Sequence, residues 1–487
     1  MKENILLGGP SAFLSEELGL TLPERVYAYQ AWWETEGAAI SIAIDRLGTP
    51  HLRQFSPTGE RIDEILYPPS YAYLLGAGYS AGILYEVAER HDWRLSFQLG
   101  FITSYYDPGL YCPYTVTFSA WVPIYKYYTG ERREEFLSLL SRHEPPFGQG
   151  ATWMTEIGGG SDLGANVQTT AQTNGAFWTL TGEKYFASNV GADLAVVAAR
   201  PVGAPPGVKG IALFIVPRER LYTPGRNYLV RRLKDKIGTR SVPTGEVEFH
   251  NAEAYLIGEA RQGIYYIMEV LNFSRVANSI GVVAHGLHAL AQAYRFAQQR
   301  RLFGRFLVDQ PLFRHELAHH YTQLKWAGAL AWLTEQWLET VWLEKPPYSE
   351  RYAIFRLLTH LAKFWTAKVA LRAAQWNLEI WAGLGTLMEF PPERFVRELL
   401  VTDIWEGTRH RHLLDAWEVL RRYPILPRLS ELWDFDAVAP GLLTEIENLL
   451  HRPEEEAIPY LEPLLTRLAE AIGQLTAHGQ TYSVLAG

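Results

Sequence analysis

Over residues 1–150 the apolar and aromatic positions recur mainly at helical spacing, with turn signals at Pro68-Pro69 and Pro145-Pro146, which predicts a helical N-terminal domain. From about residue 151 to 262 the pattern shortens. Trp178-Thr179-Leu180-Thr181-Gly182, Leu194-Ala195-Val196-Val197-Ala198, Ile211-Ala212-Leu213-Phe214-Ile215-Val216 and Glu246-Val247-Glu248-Phe249 are short apolar or alternating runs. Glycine and proline punctuate them, as in a small β-barrel or sandwich. Beyond about residue 263 long helical patterns return, notably over 317–343 and 353–378, far exceeding a strand's length. The uncharged stretch 276–294 contains Asn278, His285, His288 and Gln292, so it reads as a buried bundle helix rather than a membrane span. The expected fold is mainly α with a central β domain. Its parts are an N-terminal helical domain (1–150), a middle β domain (151–262), a helical bundle (263–426) and a helical appendage (427–487).

The appendage stands apart in charge. After Ser430 the acidic residues are Glu431, Asp434, Asp436, Glu445, Glu447, Glu454, Glu455, Glu456, Glu462 and Glu470, opposed only by Arg452 and Arg467. Pro440, Pro453, Pro459 and Pro463 are expected to break it into short amphipathic helices. The whole chain carries 45 basic against 53 acidic residues, a net charge of −8, which argues against nucleic acid as its main partner. Its 48% hydrophobic and 20% charged content excludes a disordered chain, and 487 residues suit two or three domains. The single cysteine, Cys112, rules out an intramolecular disulfide, fits a reducing compartment and reads as a small buried hydrophobe. The start Met1-Lys2-Glu3-Asn4 lacks the order of a signal peptide, so a cytoplasmic location is expected.

Two short elements carry candidate chemistry. In Met154-Thr155-Glu156-Ile157-Gly158-Gly159-Gly160-Ser161-Asp162, three glycines remove side chains where a flat ring or a pyrophosphate would lie, and hydroxyls flank them. A structural tight turn uses the same residues, and no dinucleotide fingerprint opens a helix here. In Ile404-Trp405-Glu406-Gly407-Thr408 one carboxylate stands among apolar neighbours beside a glycine. Glu406 there is a candidate general base, or a glutamate at a helix start favoured by the dipole.

With Arg300-Arg301-Leu302-Phe303-Gly304 between them, these elements resemble the acyl-CoA dehydrogenase flavoprotein family, in order from about residue 111 to 417. The resemblance implies a β-barrel middle domain, a C-terminal four-helix bundle, non-covalent FAD and a homotetramer. It also implies roles for individual residues. Met154, Thr155 and Ser161 would lie along the flavin, with Ser161 also near substrate. Phe186-Ala187-Ser188-Asn189 replaces the family's Trp-x-Thr-Asn, leaving Phe186 to stack on the ring and Ser188 to donate a hydrogen bond. Arg300 aligns with the arginine that reaches the FAD phosphates of a neighbouring subunit, and Phe303 would flank the adenine. Glu379, six residues before Gly385 and followed by Gly383, takes the place of a common glutamine near the cofactor. It would repel a diphosphate unless Arg300 or Arg301 compensates. Glu406 would take the α-proton of an acyl-CoA thioester while a β-hydride leaves for the flavin, with Gly407 beside substrate and Thr408 beside cofactor. An electron acceptor such as an electron-transfer flavoprotein would complete turnover.

Tyr111-Cys112-Pro113-Tyr114-Thr115-Val116-Thr117, Glu379 and the Ile-Trp-Glu-Gly-Thr element look like the AidB branch of adaptive-response homologues, linked to protection from DNA alkylation. That branch carries a basic DNA-binding face in an extra C-terminal domain. The extra segment here is acidic, so a DNA-binding flavoprotein with little dehydrogenase activity is the second reading. In Leu271-Asn272-Phe273-Ser274-Arg275 the family's Asp-x-x-Arg keeps Arg275 as a substrate contact but loses its acid, which leaves bulky, branched or non-CoA substrates open. Glu269 lies near the place where some members carry the base on a different helix.

Overall fold

A computed structural model describes residues 3–175, 177–221 and 225–479. The chain forms two compact units, one of residues 31–99 and 109–274, the other of 1–30, 100–108 and 275–487. This division cuts across the expected four consecutive segments, because parts of the N-terminal 150 residues belong to each unit.

The first unit is built on a seven-stranded sheet that closes on itself. Leu194–Pro201 pairs with Thr170–Thr173, which pairs with Trp178–Ser188, then Thr244–Leu256, then Ala212–Pro217 and back to Leu194–Pro201. Closure leaves no open edge around this ring, and Gly150–Trp153 and Leu229–Leu233 add to it as side strands. Residues 194–199 and Ala212–Pro217 are apolar throughout because both their faces are buried, with Ala195 opposite Val216 and Val197 opposite Phe214. Trp153, Val197, Phe214, Val247 and Phe249 fill the interior.

Inside the N-terminal region expected to be helical, His51–Phe55 and Arg61–Leu66 instead form an antiparallel hairpin. The pattern is local and alternating: Leu52, Ile65 and Tyr67 pack on the barrel core while the alternate positions His51, Arg53 and Leu66 are exposed. Asp63 Oδ2 accepts a hydrogen bond from Val230 N at 2.9 Å, and Gln54 Nε2 donates to Arg231 O at 3.0 Å, tying the hairpin to a side strand. The helical periodicity on either side masked this short alternation.

The second unit is helical. Pro311–Val341, Glu350–Trp381, Pro392–Ile404 and Arg409–Arg422 join the C-terminal part of Gly263–Gln299. Ser349 caps Glu350–Trp381 by accepting from Tyr352 N at 3.2 Å. That helix is buried almost all round, as a helix inside a bundle must be. A side chain at Gly286 would meet Ala370 Cα at 3.0 Å, so the glycine permits two helix backbones to approach closely. The segment after residue 426 folds onto the bundle. Its helix Leu461–Ala477 lays Gly473 against the Trp326 carbonyl, and Gln323 Nε2 donates to Glu470 Oε1 at 3.0 Å. Pro463 does not break this helix. It occupies the first turn, where its missing N–H would have had no partner. Among the described residues no helix is long and apolar enough to cross a membrane.

Candidate active site

In the β unit the residues around Thr155 hang from a buried ion pair. Glu156 accepts from Lys184 Nζ at 2.6 Å, Gln168 N at 2.7 Å and Thr169 N at 3.1 Å, and Lys184 Nζ also reaches the Met154 carbonyl at 3.3 Å. Burial pulls the Lys184 pKa down, with Glu156 opposing that shift only in part. Tyr185 N donates to Thr155 O at 2.9 Å, so the loop is laced to the strand Trp178–Ser188. Met154 is buried, Thr155 half-buried and Ser161 exposed. The hydroxyls of Thr155 and Ser161 make no hydrogen bond to the described residues.

The three glycines answer partly to the protein itself. A side chain on Gly160 would strike Thr155 Oγ1 at 2.4 Å, and one on Gly158 would meet Asn166 Oδ1 at 2.8 Å. Two of them let the loop fold tightly on its own side chains, which is the tight-turn alternative left open by the sequence.

One strand along, Lys184 pairs with Val247 but Ala187 with Gly245, so three steps on one strand match two on its neighbour. This bulge carries the inward face from Lys184 to Ala187 and turns Phe186 and Ser188 outward together. Phe186 is 54% exposed, and Lys234 Nζ lies over the adjacent Tyr185 ring. Ser188 Oγ meets Thr244 Oγ1 at 3.3 Å, which in turn accepts from Lys236 Nζ at 3.1 Å. An outward aromatic ring, several hydroxyls and two lysines are a donor set that fits a flavin.

In the helical unit Glu406 lies in the turn between Pro392–Ile404 and Arg409–Arg422, two residues ahead of the cap Thr408. It is therefore not a first-turn glutamate. Its φ is +59°, rare for a residue with a side chain, and Gly407 follows at +109°. Three helices brace this turn. Arg275 Nε donates to Glu406 O at 3.1 Å. Lys363 Nζ donates to Asp403 O and to Gly407 O, each at 2.9 Å. The His412 ring stands against Gly407, where a side chain would meet its Nε2 at 3.0 Å. Trp405 Nε1 donates to Asn278 Oδ1. Arg275, expected as a substrate contact, is instead fully buried and turned to the Glu406 carbonyl and Asp415. Burial also holds the His412 and His360 imidazoles far below their usual pKa.

The other expected residues fall as follows. Arg300 is exposed, and Arg301–Leu302 and Arg305–Phe306 form a two-residue hairpin whose turn is Phe303-Gly304. Phe303 sits at φ +50° and is 98% exposed, an unusual placement for a large apolar ring. Glu379 is exposed near the end of Glu350–Trp381, and no ion pair joins it to Arg300 or Arg301 among the described residues. Gly383 follows in open space. Glu269, in the β unit, is buried against Lys126 at 2.6 Å and accepts from Tyr127 at 2.5 Å, so its carboxylate is already engaged. Lys363 and Lys184 escaped the sequence reading. The signal was a lone lysine within the apolar run Leu361-Ala362-Lys363-Phe364-Trp365.

Comparison with known proteins fits this geometry. Residues 151–252 match the acyl-CoA dehydrogenase middle domain and residues 261–420 the acyl-CoA dehydrogenase C-terminal domain. Residues 37–143 match the adaptive response protein AidB N-terminal domain. The chain belongs to the acyl-CoA dehydrogenase family. Within it, the chain is 28% identical to the acyl-CoA dehydrogenase homologue AidB of Escherichia coli (strain K12), over 93% of this chain and 86% of AidB. It is 27% identical to the mitochondrial short-chain specific acyl-CoA dehydrogenase of Rattus norvegicus, over 62% and 69% of the two chains. In fold it superposes on Caenorhabditis elegans ACDH-11, solved in complex with C11-CoA, with a TM-score of 0.85 at 22% identity over 99% and 89%.

Proposed function

We propose that this protein is an FAD-dependent acyl-CoA dehydrogenase that introduces an α,β double bond into an acyl thioester, with Glu406 as the base. The observation that carries this reading is the strained, braced turn. A carboxylate is held at positive φ by hydrogen bonds from buried cations, Arg275 to its own carbonyl and Lys363 to that of Gly407, which is how a reacting group is kept in one place. FAD, when bound, supplies the hydride acceptor. Thr155, Ser161 and Ser188 would hold it by hydroxyl donors and Met154 by its backbone. Phe186 would stack on its ring, and Arg300, Phe303, Glu379, Gly383 and Thr408 would line its remainder. Glu406 takes the α-proton of the acyl group, and Gly407 leaves the substrate space beside it. Arg275 acts on Glu406 rather than on the CoA end.

The exposure of Arg300 and Phe303 leaves both side chains able to reach a neighbouring copy, which supports a homotetramer. Its acceptor is an electron-transfer flavoprotein or a functional equivalent. The test is an anaerobic titration of the purified, FAD-loaded protein with C11-CoA and butyryl-CoA. Bleaching of the flavin by either supports the reading. A protein that takes up no FAD, or a flavin that no acyl-CoA bleaches, overturns it.

A further inference from the structure

Lys363 stands in the middle of Glu350–Trp381 with no exposed surface, a place where a cation is costly unless its hydrogen bonds are met. They are met by main chain. Its ammonium spans Asp403 O and Gly407 O, one carbonyl before Glu406 and one after it. Among the described residues no side-chain carboxylate pairs with it directly. Asp403 instead accepts from Lys368 Nζ at 2.6 Å. A buried charge devoted to two carbonyls serves the shape of the turn between them. We infer that Lys363 is a positioning residue, whose ammonium pins the turn and so fixes where the Glu406 carboxylate points. This rests on the reading of Glu406 as the base.

The groups facing Lys363 make its grip dependent on pH. Asp403 at the end of Pro392–Ile404 and Glu406 of the turn favour its charge, whereas Arg275 from one helix and Lys368 from its own oppose it. His412, packed on the same turn, is kept neutral by burial. Burial is the largest influence and brings the Lys363 pKa down to about 7. Below that value the ammonium holds both carbonyls. Above it, the neutral amine has lost the charge that made those bonds strong.

Two measurements test this. The first is hydrogen exchange of wild-type amides around residues 404–408 between about pH 6 and pH 9, corrected for intrinsic rates. Protection there should fall as Lys363 loses its proton, while the rest of Pro392–Ile404 stays unchanged. Protection that does not vary with pH overturns the inference, whatever the substrate proves to be. The second is anaerobic flavin reduction by C11-CoA in Lys363→Met, Lys363→Arg and Glu406→Gln. Lys363→Met should reduce about 10²-fold more slowly, the scale of a displaced reacting group, with FAD content and KM nearly unchanged. Its rate should also lose the wild-type decline above about pH 7, and Lys363→Arg should restore part of the rate. If Glu406→Gln abolishes reduction but Lys363→Met keeps the wild-type rate and pH profile, the positioning role is wrong. If Glu406→Gln reduces normally, the base assignment has failed, and hydrogen exchange alone decides for Lys363.

Discussion

Lys184→Met should damage the β unit out of proportion to the change in shape. The substitution keeps most of the side-chain volume but leaves the Glu156 carboxylate, 3% exposed, with two backbone donors and no cation. Removing one partner of a buried pair costs about 3–5 kcal/mol, because the other charge stays buried without compensation. At ~2–4 °C per kcal/mol for a unit of this size, the melting temperature should fall by about 6–20 °C. Lys184 also holds the Met154 carbonyl, so retained FAD should fall with it. The double variant Glu156→Gln/Lys184→Met decides the cause. Since burial outweighs the attraction of Glu156 at Lys184, the pair itself adds little, and removing both charges should recover at least half of the loss. Scanning calorimetry of the singles and the double, with flavin absorbance on the same samples, measures both effects. A Lys184→Met transition within about 2 °C of wild type, or a double variant as unstable as the single, would refute the argument.

Three further outcomes follow from the structure. Glu406→Gln should slow flavin reduction about 10²–10⁴-fold with unchanged FAD content, whereas Glu269→Gln should lower the melting temperature and leave reduction intact; anaerobic stopped-flow on both separates base from buried ion pair. Phe303→Ala removes the ring from an exposed hairpin and, if the proposed tetramer forms, should shift it to smaller species by light scattering, with little change in thermal stability. Duplex DNA should bind weakly in fluorescence anisotropy at physiological salt, because Arg409, Arg421 and Arg467 are paired with Glu462, Glu454 and Glu445. Tight binding that weakens steeply with added salt would favour the second reading instead.

The helices and barrel strands were legible because their patterns persist over many residues. The hairpin at His51–Phe55 and Arg61–Leu66 was not, since its alternation is short and depends on the strand it meets. Glu406 was legible as a residue but not as a conformation: nothing in Trp405-Glu406-Gly407 announces a positive φ at the glutamate. Arg275 shows the opposite failure. Its motif was visible, but its direction was set by Asp415 and the Glu406 carbonyl, more than a hundred positions away in the chain. Lys363 was hidden for a related reason, because a lone lysine in a helix pattern ordinarily reads as a surface residue whose stem lies along the helix.

The bulge in Trp178–Ser188 makes strand length a coded quantity. Deleting one residue between Lys184 and Ala187 would restore regular pairing and keep Ala187 and Ser188 on their present faces, with loss of the bulge and of one of the two rings it carries, Tyr185 or Phe186. Libraries built here should therefore tolerate a single deletion within the bulge as well as exchange of one ring for another, whereas a deletion where the pairing is regular would carry everything beyond it onto the opposite face.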